Sequence, residues 1–237
     1  MTQDEPRIVV VTGANRGIGH EVVRQLYARG DTAVLGSRDL AKGLSAAEEL
    51  TAATGPGQVV ALRLDVTDPI ALRAAAAELG ERFGRVDVLI NNAAILYDTW
   101  QTPTSADLDV VRSALETNLF GAWQTALALL PLLKAGHSPR IVNVSSESGS
   151  LTRMGDATPA YSVSKAALNA LTRQLAAGLA ADGILVNSVC PGWIATDMGG
   201  SGGGPIADGA ASVLWAADLP DDGPTGGFFR HGNPLPW

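Results

Sequence analysis

Short apolar runs alternate with longer helix-like segments along most of the sequence, and this alternation restricts the fold more than any other feature. The runs are near-continuous rather than interrupted by polar residues, which is typical of parallel strands buried on both faces. Such alternation predicts the α/β class, with a doubly wound parallel sheet (Rossmann fold) in three α/β/α layers. The predicted strands are residues 7–11, 32–36, 58–64, 86–91, 140–145 and 184–190, and the predicted helices are 17–29, a segment ending near 53, 68–83, 105–134 (straight or bent) and 160–181.

The length and charge of the chain limit its organisation and its partners. A chain of 237 residues suits one large domain, so we expect a single domain over residues 1–237. The net charge of −7 disfavours nucleic acid or an anionic membrane surface as a partner. The longest apolar stretch, residues 120–133, is too short to span a bilayer and contains Gln124 and Thr125. We therefore expect neither nucleic-acid binding nor membrane insertion.

Cysteine and histidine usage indicates a reducing environment and no metal. Cys190 is the single cysteine and cannot form an internal disulfide, and the acidic, polar first residues do not resemble a secretory signal. We therefore expect a cytoplasmic protein. Cys190 ends a predicted strand, so we interpret it as a core thiol rather than a nucleophile. His20, His137 and His231 are scattered and form no cluster with acidic residues or cysteine, so no metal site is predicted.

A glycine-rich segment, TGANRGIG at residues 12–19, lies between the first predicted strand and the first predicted helix. Glycines allow a tight turn and a close approach to a pyrophosphate, while a helix N-terminus offers free N–H groups and a partial positive charge. The glycines are spaced as GxxxGxG rather than GxGxxG. The alternative is a turn that binds no ligand, but the placement favours a dinucleotide bound by Gly13, Asn15, Arg16, Gly17, Ile18 and Gly19.

The end of the second predicted strand bears on which dinucleotide binds. Sites for NAD usually have a carboxylate here for the ribose 2′-hydroxyl, whereas a nearby arginine accommodates a 2′-phosphate. This chain has Ser37 followed by Arg38, and Arg16 could add a second guanidinium group. Asp39 could pair with Arg38 or cap the next helix, and Arg38 could also be a solvated surface charge. The pattern favours NADP(H).

Tyr161 and Lys165 lie near the start of an apolar-striped helix and share one face, because they are four residues apart. A phenol with a pKa of about 10 is a poor proton shuttle at neutral pH, but a close ammonium group favours the phenolate and lowers that pKa. Such a pair can deliver a proton to a carbonyl oxygen as hydride reaches its carbon. The spacing Y-x-x-x-K alone is common, so the neighbouring motifs matter.

Polar residues follow several other predicted strands at the same, carboxyl edge of the sheet. The fourth strand ends in NNAA at residues 91–94, and the fifth ends in Ser145 and Ser146. Asn118 lies in the following helix, and PGWIAT at residues 191–196 leaves the sixth strand. Because ligands bind at this edge in open α/β sheets, we expect these residues to surround one site.

Taken together and in this order, these segments resemble the short-chain dehydrogenase/reductase family in its compact, single-domain branch, over essentially the whole chain. The resemblance implies that Tyr161 is the proton donor and that Lys165 binds the nicotinamide ribose and lowers the tyrosine pKa. It implies that Ser146 hydrogen-bonds the substrate carbonyl and that Asn118 helps hold a water relay to the lysine. The implied cofactor contacts are Gly13, Gly17 and Gly19 at the pyrophosphate, Asp65 and Val66 at the adenine, Asn91 against the cofactor, Ile194 and Thr196 at the nicotinamide amide, and Ala93, Pro191 and Gly192 elsewhere along the site.

Two details modify this resemblance. Ser145 and Ser148 compete with Ser146 for the catalytic role, and we favour Ser146 because it precedes Gly149 by three residues, as the family's catalytic serine commonly precedes a glycine. Ala94 stands where the family usually has glycine, which adds a methyl group near the cofactor. The endings at residues 223–229 and 234–237 resemble a carbonyl-reductase-like subgroup.

The substrate side is less defined by sequence. We expect a short lid around residues 197–208, mobile because it contains consecutive glycines, over a pocket that tolerates bulky carbonyl compounds. Trp193 is a candidate for the pocket wall. The long apolar helices at 105–134 and 160–181 fit the helix-pair interface usual in the family, so we expect a homodimer or homotetramer.

These observations predict an oxidoreductase that transfers hydride between NADPH and a ketone, aldehyde or secondary alcohol, with Tyr161 as general acid/base. A regulatory protein that senses NADP without turnover is the alternative, because fold alone does not establish catalysis. An epimerase or dehydratase using the same tyrosine and lysine is a third interpretation, which the compact length and the glycine spacing disfavour.

Overall fold

A computed structural model describes residues 5–237 and confirms the predicted architecture. These residues contain an eight-stranded sheet in the order β3-β2-β1-β4-β5-β6-β7-β8, in which β1 to β7 are parallel and β8 is antiparallel to β7. The strands are β1 Ile8–Val11, β2 Thr32–Ser37, β3 Gln58–Arg63, β4 Val88–Asn91, β5 Arg140–Val144, β6 Leu185–Val189, β7 Phe228–Arg230 and β8 Asn233–Pro234.

Seven α-helices cover the two faces of this sheet within the described residues. The sheet order reverses beside β1, since β2 and β3 lie on one side of it and β4 to β8 on the other. Such a reversal opens a crevice at the carboxyl ends of the strands. The helices are α1 Gly17–Arg29, α2 Leu40–Thr51, α3 Pro69–Phe83, α4 Leu108–Leu115, α5 Ala122–Lys134, α6 Pro159–Gly178 and α7 Ile206–Ala217.

The alternation of side chains along β1 shows how the three layers hold together. Val9 and Val11 belong to a core shared with α1, α2 and α7, whereas Ile8 and Val10 belong to a core on the other face, shared with α3 and α5. All four residues are buried. Because both faces of the strand are covered, no polar residue interrupts it, which is the pattern that predicted a parallel sheet.

The predicted helix at 105–134 is not continuous. A π-helical turn, Glu116–Gly121, joins α4 to α5 and contains Asn118. Single π-helical turns inside longer helices often occur at functional sites. Gly121 lies at the end of this turn, where an added Cβ would come within 2.7 Å of the Val66 side chain. The chain therefore approaches the end of β3 closely at this point.

The last quarter of the chain contains elements that the sequence patterns did not indicate. These are α7, which packs mainly against α1, and the terminal strands β7 and β8. The predicted lid at 197–208 overlaps α7, which begins at Ile206.

None of the helices in the described part of the chain is long and apolar enough to cross a membrane. Within residues 5–237, no group of three or more His, Cys, Asp or Glu residues is placed to hold a metal ion.

Candidate active site

A cleft of about 1960 Å³ opens at the carboxyl edge of the sheet. Most of the site residues predicted from sequence line it, although they come from segments far apart in the chain. Gly19, Asn91 and Asn118 are buried behind its wall instead. The predicted residues that line the cleft are Gly13, Asn15, Arg16, Gly17, Ile18, Ser37, Arg38, Asp65, Val66, Ala93, Ser146, Tyr161, Lys165, Pro191, Gly192, Ile194 and Thr196.

The glycine-rich turn has the backbone conformation that a phosphate site requires. Gly13 and Gly17 have φ angles of +62° and +61°, which other residues rarely adopt. A Cβ on Gly13 would lie 2.9 Å from the Cα of Ala93. No side chain of residues 5–237 caps the N-terminus of α1 at Arg16, whereas aspartates cap α2 and α3. The first N–H groups of α1 therefore face the cleft without a protein partner and fit a pyrophosphate.

Gly19 is needed for the packing of α1 against the end of β4. A Cβ at Gly19 would lie 2.5 Å from the Nδ2 atom of Asn92, so only glycine lets α1 pack this closely on the end of β4. The Nδ2 group of Asn92 donates hydrogen bonds to the carbonyls of Thr12 (2.9 Å) and Gly13 (3.1 Å). Asn92 thus ties the glycine turn to β4, a role that sequence reasoning did not assign to it.

Asn91, which the sequence resemblance placed against the cofactor, lies inside the sheet. Its Nδ2 donates to Oδ1 of Asn143 at 2.9 Å, and Nδ2 of Asn143 donates to the Thr172 hydroxyl at 2.9 Å. These bonds connect β4, β5 and α6 beneath the cleft. Asn91 therefore supports the floor of the site and does not line it.

Two arginines, Arg16 and Arg38, line the part of the cleft next to the glycine-rich turn and the end of β2. The carboxylate of Asp39 accepts the backbone N–H groups of residues 41 and 42, so Asp39 caps α2. The hydroxyl of Ser37 donates to the Asp39 carbonyl at 2.8 Å. Arg38 is exposed and lines the cleft beside Ser37. Arg16 also lines the cleft, and its guanidinium group forms an exposed ion pair with Asp197 at 2.8 Å.

Tyr161 and Lys165 lie in the first turns of α6, with both side chains buried. The Lys165 Nζ lies 5.6 Å from the centroid of the Tyr161 ring and donates to the Val144 carbonyl at 2.8 Å. Burial raises the pKa of Tyr161 above its ordinary value, against the opposing effect of a hydrogen bond with Ser146. Burial also lowers the pKa of Lys165 to about 8. The sequence predicted that the ammonium group would lower the pKa of Tyr161. The net shift is upward instead, because removal of the phenolate from water outweighs the effects that lower the pKa.

The three competing serines have different surroundings. The hydroxyl of Ser145 is buried and directed at the backbone, 3.5 Å from the Lys165 carbonyl. Ser146 interacts with Tyr161, and its Oγ accepts the backbone N–H of Ser148 at 3.2 Å. Ser148 lines the cleft next to it. The geometry therefore favours Ser146 as the partner of Tyr161.

Asn118 is held by protein groups on both sides of its amide. Its Oδ1 accepts the backbone N–H of Ile95 at 2.8 Å, and its Nδ2 donates to the Ile95 carbonyl at 3.1 Å and to the Ser164 hydroxyl at 2.9 Å. The π-helical turn thus connects the loop after β4 with α6. The Asn118 side chain holds these two elements together, so any part it has in proton transfer is indirect.

Asp98 is a site residue that sequence reasoning missed. It is fully buried in the loop after β4, and its carboxylate accepts the backbone N–H groups of Ala160 (2.9 Å) and Tyr161 (3.0 Å). Thr158, which precedes α6, has a φ angle of +49° and its side chain does not cap the helix. Asp98 supplies the missing cap from another segment, and thereby fixes the helical turn that carries Tyr161. Asp98 lies 62 residues before Ala160, so no local sequence pattern predicts this cap.

The substrate end of the cleft combines aromatic and charged side chains. The Tyr97 ring meets the Tyr161 ring edge-on, with centroids 5.3 Å apart. Trp193 lines the cleft as predicted, and its Nε1 donates to the Gly199 carbonyl at 2.8 Å. Glu147 and Arg230 also line this end. The pocket beside Tyr161 is therefore not purely apolar.

The glycine-rich segment after β6 closes on itself through backbone hydrogen bonds. Ala195 N–H donates to the Gly204 carbonyl at 3.0 Å, and Gly204 N–H donates to the Trp193 carbonyl at 2.8 Å. The Thr196 hydroxyl accepts the Gly199 N–H at 3.1 Å. These bonds form a compact loop over one side of the cleft, where the sequence predicted a lid.

Comparison with known proteins identifies the family. A family model described as short chain dehydrogenase matches residues 7–203, which is most of the chain. The chain belongs to the short chain dehydrogenase family. This confirms the resemblance to that family found in the sequence.

The relatives include several reductases. Salutaridine reductase of Papaver bracteatum is 33% identical, covering 96% of this chain and 95% of the relative. (+)-Neomenthol dehydrogenase of Arabidopsis thaliana is also 33% identical, with 97% of each chain covered. Among solved structures, NADPH-bound carbonyl reductase from chicken fatty liver has a TM-score of 0.85 and 29% identity, covering 98% of this chain and 100% of that one. The alignment with the Papaver enzyme spans 299 positions, so that relative has insertions that this family member of 237 residues lacks.

Proposed function

We propose that the protein is an NADPH-dependent carbonyl reductase that interconverts a ketone or aldehyde and the corresponding alcohol. The observation that carries the proposal is the placement of Tyr161, which lines the cleft beside Ser146 and one helical turn from Lys165. The similarity to reductases over nearly the whole chain, including a carbonyl reductase with NADPH bound, supports it.

The residues of the cleft fit NADPH. The uncapped N-terminus of α1 and the two left-handed glycines suit the pyrophosphate, and Arg38 with Ser37 suits a 2′-phosphate. Asp65 and Val66 line the expected adenine side, and the residues 191–196 line the expected nicotinamide side. Bound NADPH would supply the hydride for the carbonyl carbon.

The chain's own residues supply the proton. The Tyr161 phenol is protonated at neutral pH and lines the cleft, so it can donate a proton to a carbonyl oxygen bound there. The Ser146 hydroxyl, which interacts with Tyr161, can hydrogen-bond the same oxygen. Lys165 has a pKa of about 8 because of its burial, so it is largely cationic at pH 7 and stabilises the phenolate that remains. Asn118 and Asp98 position these groups through α6.

The test is NADPH oxidation with a panel of ketones and aldehydes, followed for the wild type and for Tyr161→Phe. Loss of the general acid should lower kcat by about 10²–10⁴-fold, while NADPH binding stays close to that of the wild type. Tyr27→Phe is the matched control, since Tyr27 hydrogen-bonds the Ala53 carbonyl on the surface and should retain activity. NADPH binding without turnover of any carbonyl would instead support the alternative of an NADP-sensing protein.

We also propose a homodimer or homotetramer formed through an apolar face of α5 and the preceding turn. Phe120, Trp123 and Leu127 are exposed there, and their spacing of three and four residues places them on one side. Exposed apolar residues in such a row are typical of an interface. Sedimentation velocity should give a dimer or tetramer for the wild type and a smaller species for Trp123→Lys.

A further inference from the structure

The substrate end of the cleft contains charged groups that proton transfer at Tyr161 does not use. Glu147 directly follows Ser146 and lines both the cleft and a side pocket of about 330 Å³. Its Oε1 accepts a hydrogen bond from Arg153 and its Oε2 accepts one from Arg230. One carboxylate thus faces two guanidinium groups.

Arg230 lies next to the reacting groups. Its Nη2 is 3.7 Å from the Sγ atom of Cys190, and Cys190 lines the cleft together with Tyr161 and Lys165. The Nε atom of Arg230 is buried and has no hydrogen-bond partner among residues 5–237. The Nη groups of the partly exposed Arg230 side chain, rather than this buried Nε, are the donors that a ligand in the cleft can reach.

The side pocket extends this charged surface away from Tyr161. It shares Tyr97, Glu147 and Ser148 with the cleft, and Arg153 and Met154 form much of the rest of its wall. A substrate whose carbonyl lies at Tyr161 can therefore reach past Glu147 towards Arg153. Arg230 lines the cleft, Arg153 lines the side pocket, and both bond Glu147, which lines the two.

We infer that the substrate is a ketone or aldehyde that also carries a carboxylate, bound by the guanidinium groups of Arg230 and Arg153. This inference rests on the proposed reductase function and adds the substrate class to it. Guanidinium groups bind carboxylates through paired, charge-assisted hydrogen bonds. In the reaction, hydride passes from NADPH to the carbonyl carbon, the proton passes to its oxygen, NADPH becomes NADP⁺, and the carboxylate is unchanged.

The overall charge of the protein makes this pair of arginines informative. At a net charge of −7 the chain repels anions at long range, so an anionic substrate needs local cations. Glu147 already balances one arginine and fixes both in place. The substrate carboxylate supplies a second negative charge for the two arginines.

The experiment compares pyruvate, levulinate and para-acetylbenzoate with their methyl esters, with NADPH as reductant. Within each pair, esterification removes the charge and adds a methyl group, and in pyruvate it also makes the neighbouring ketone more electrophilic. The change in each ratio between the wild type and the variants is therefore the decisive comparison. The wild type should have a kcat/KM for at least one acid about tenfold or more above that for its ester, as one charge-assisted hydrogen bond provides. The pair with the largest ratio reports the spacing between carbonyl and carboxylate.

Variants then test the two arginines. Arg230→Gln and Arg153→Gln should each lower the acid-to-ester ratio of kcat/KM about tenfold, with Arg230→Lys between Arg230→Gln and the wild type. Glu147→Gln should raise the ratio, because both guanidinium groups lose their competing carboxylate. Arg82→Gln removes an exposed Arg–Glu pair on α3 and serves as the control with wild-type ratios. Thermal unfolding and NADPH titration confirm that each variant folds.

The outcomes separate the inference from the proposed function. Reduction of the esters in preference to all three acids, or an acid-to-ester ratio that Arg230→Gln and Glu147→Gln leave unchanged, would overturn the inference and leave the reductase function standing. Absence of NADPH oxidation with all six compounds and with neutral aldehydes would contradict the reductase function itself. A ratio that falls in both arginine variants and rises in Glu147→Gln supports the inference.

Discussion

Replacing Asp98 by alanine should loosen the first turn of α6 and displace Tyr161. The Asp98 carboxylate is fully buried and accepts the N–H groups of Ala160 and Tyr161 at 2.9 and 3.0 Å. The Gln101 side chain also donates to Asp98, at 3.2 Å. Each buried donor left unpaired costs about 1–3 kcal/mol, so loss of the two N–H bonds alone should lower the free energy of unfolding by about 2–6 kcal/mol, and Asp98→Ala by at least that much. For a domain of this size each kcal/mol corresponds to about 2–4 °C, so Tm should fall by at least about 4 °C.

The effect on catalysis distinguishes a positioning role from a purely stabilising one. A displacement of about 1 Å in a reacting group can cost about a hundredfold in rate, so kcat should fall by about 10–100-fold. The dissociation constant for NADPH should change by less than about threefold, because the glycine turn and Arg38 lie on other elements. Asp98→Asn keeps one acceptor oxygen and should recover part of both losses.

The assays are thermal unfolding, steady-state kinetics at saturating NADPH, and NADPH titration by fluorescence. Asp107→Ala is the matched control, because Asp107 caps α4 in the same way but is exposed. It should cost about 0.5–2 kcal/mol and leave kcat unchanged. A stability of Asp98→Ala within about 0.5 kcal/mol of the wild type, or a kcat no lower than that of Asp107→Ala, would refute the reasoning.

Two further predictions concern charge. Burial lowers the pKa of Lys165 from 10.5 to about 8. Reductase activity should therefore be constant below pH 8 and fall as the pH rises above 8. The free energy of unfolding should increase between pH 8 and pH 10.5, because in this range Lys165 binds more protons in the unfolded chain than in the folded one. A pH–rate profile that stays flat up to pH 10 would count against this, and Lys134→Met, a change in an exposed ion pair, should leave the profile as it is. Arg38→Ala should weaken NADPH binding about tenfold or more and NADH binding little, and equal losses for both cofactors, measured by titration, would remove Arg38 from the 2′-phosphate site.

The sequence predicted the sheet and the glycine turn because both depend on local patterns. Continuous apolar runs such as residues 8–11 and the glycine spacing of residues 12–19 are visible without the fold. Strand ends meet at one edge of a parallel sheet, so the neighbours of Tyr161 also followed from topology alone.

What the sequence did not predict depends on contacts between distant segments. The cap from Asp98 to α6, the support from Asn92 to the glycine turn and the position of Arg230 all require the folded chain. The predicted direction of the Tyr161 pKa shift was wrong for the same reason. The spacing between Tyr161 and Lys165 can be read from the sequence, but the burial of the phenol cannot. The short strand β7 and the π-helical turn carry too few residues to produce a recognisable period.

The ion pair between Arg16 and Asp197 links the occupancy of the glycine turn to the loop that follows β6. Both side chains are mostly exposed, at 73% and 74%, so the pair contributes about 0–1 kcal/mol and opens easily. If Arg16 also binds a phosphate of the nucleotide, Asp197 and that phosphate draw on the same guanidinium group. The guanidinium group has further N–H donors beyond Nη1, so a phosphate there would share Arg16 with Asp197 and bring the loop and the nucleotide into contact with one side chain. Added salt screens the attraction of Arg16 to Asp197 as well as its attraction to a phosphate. The affinity for the nucleotide should therefore depend less on ionic strength than it would if Arg16 had no acidic partner.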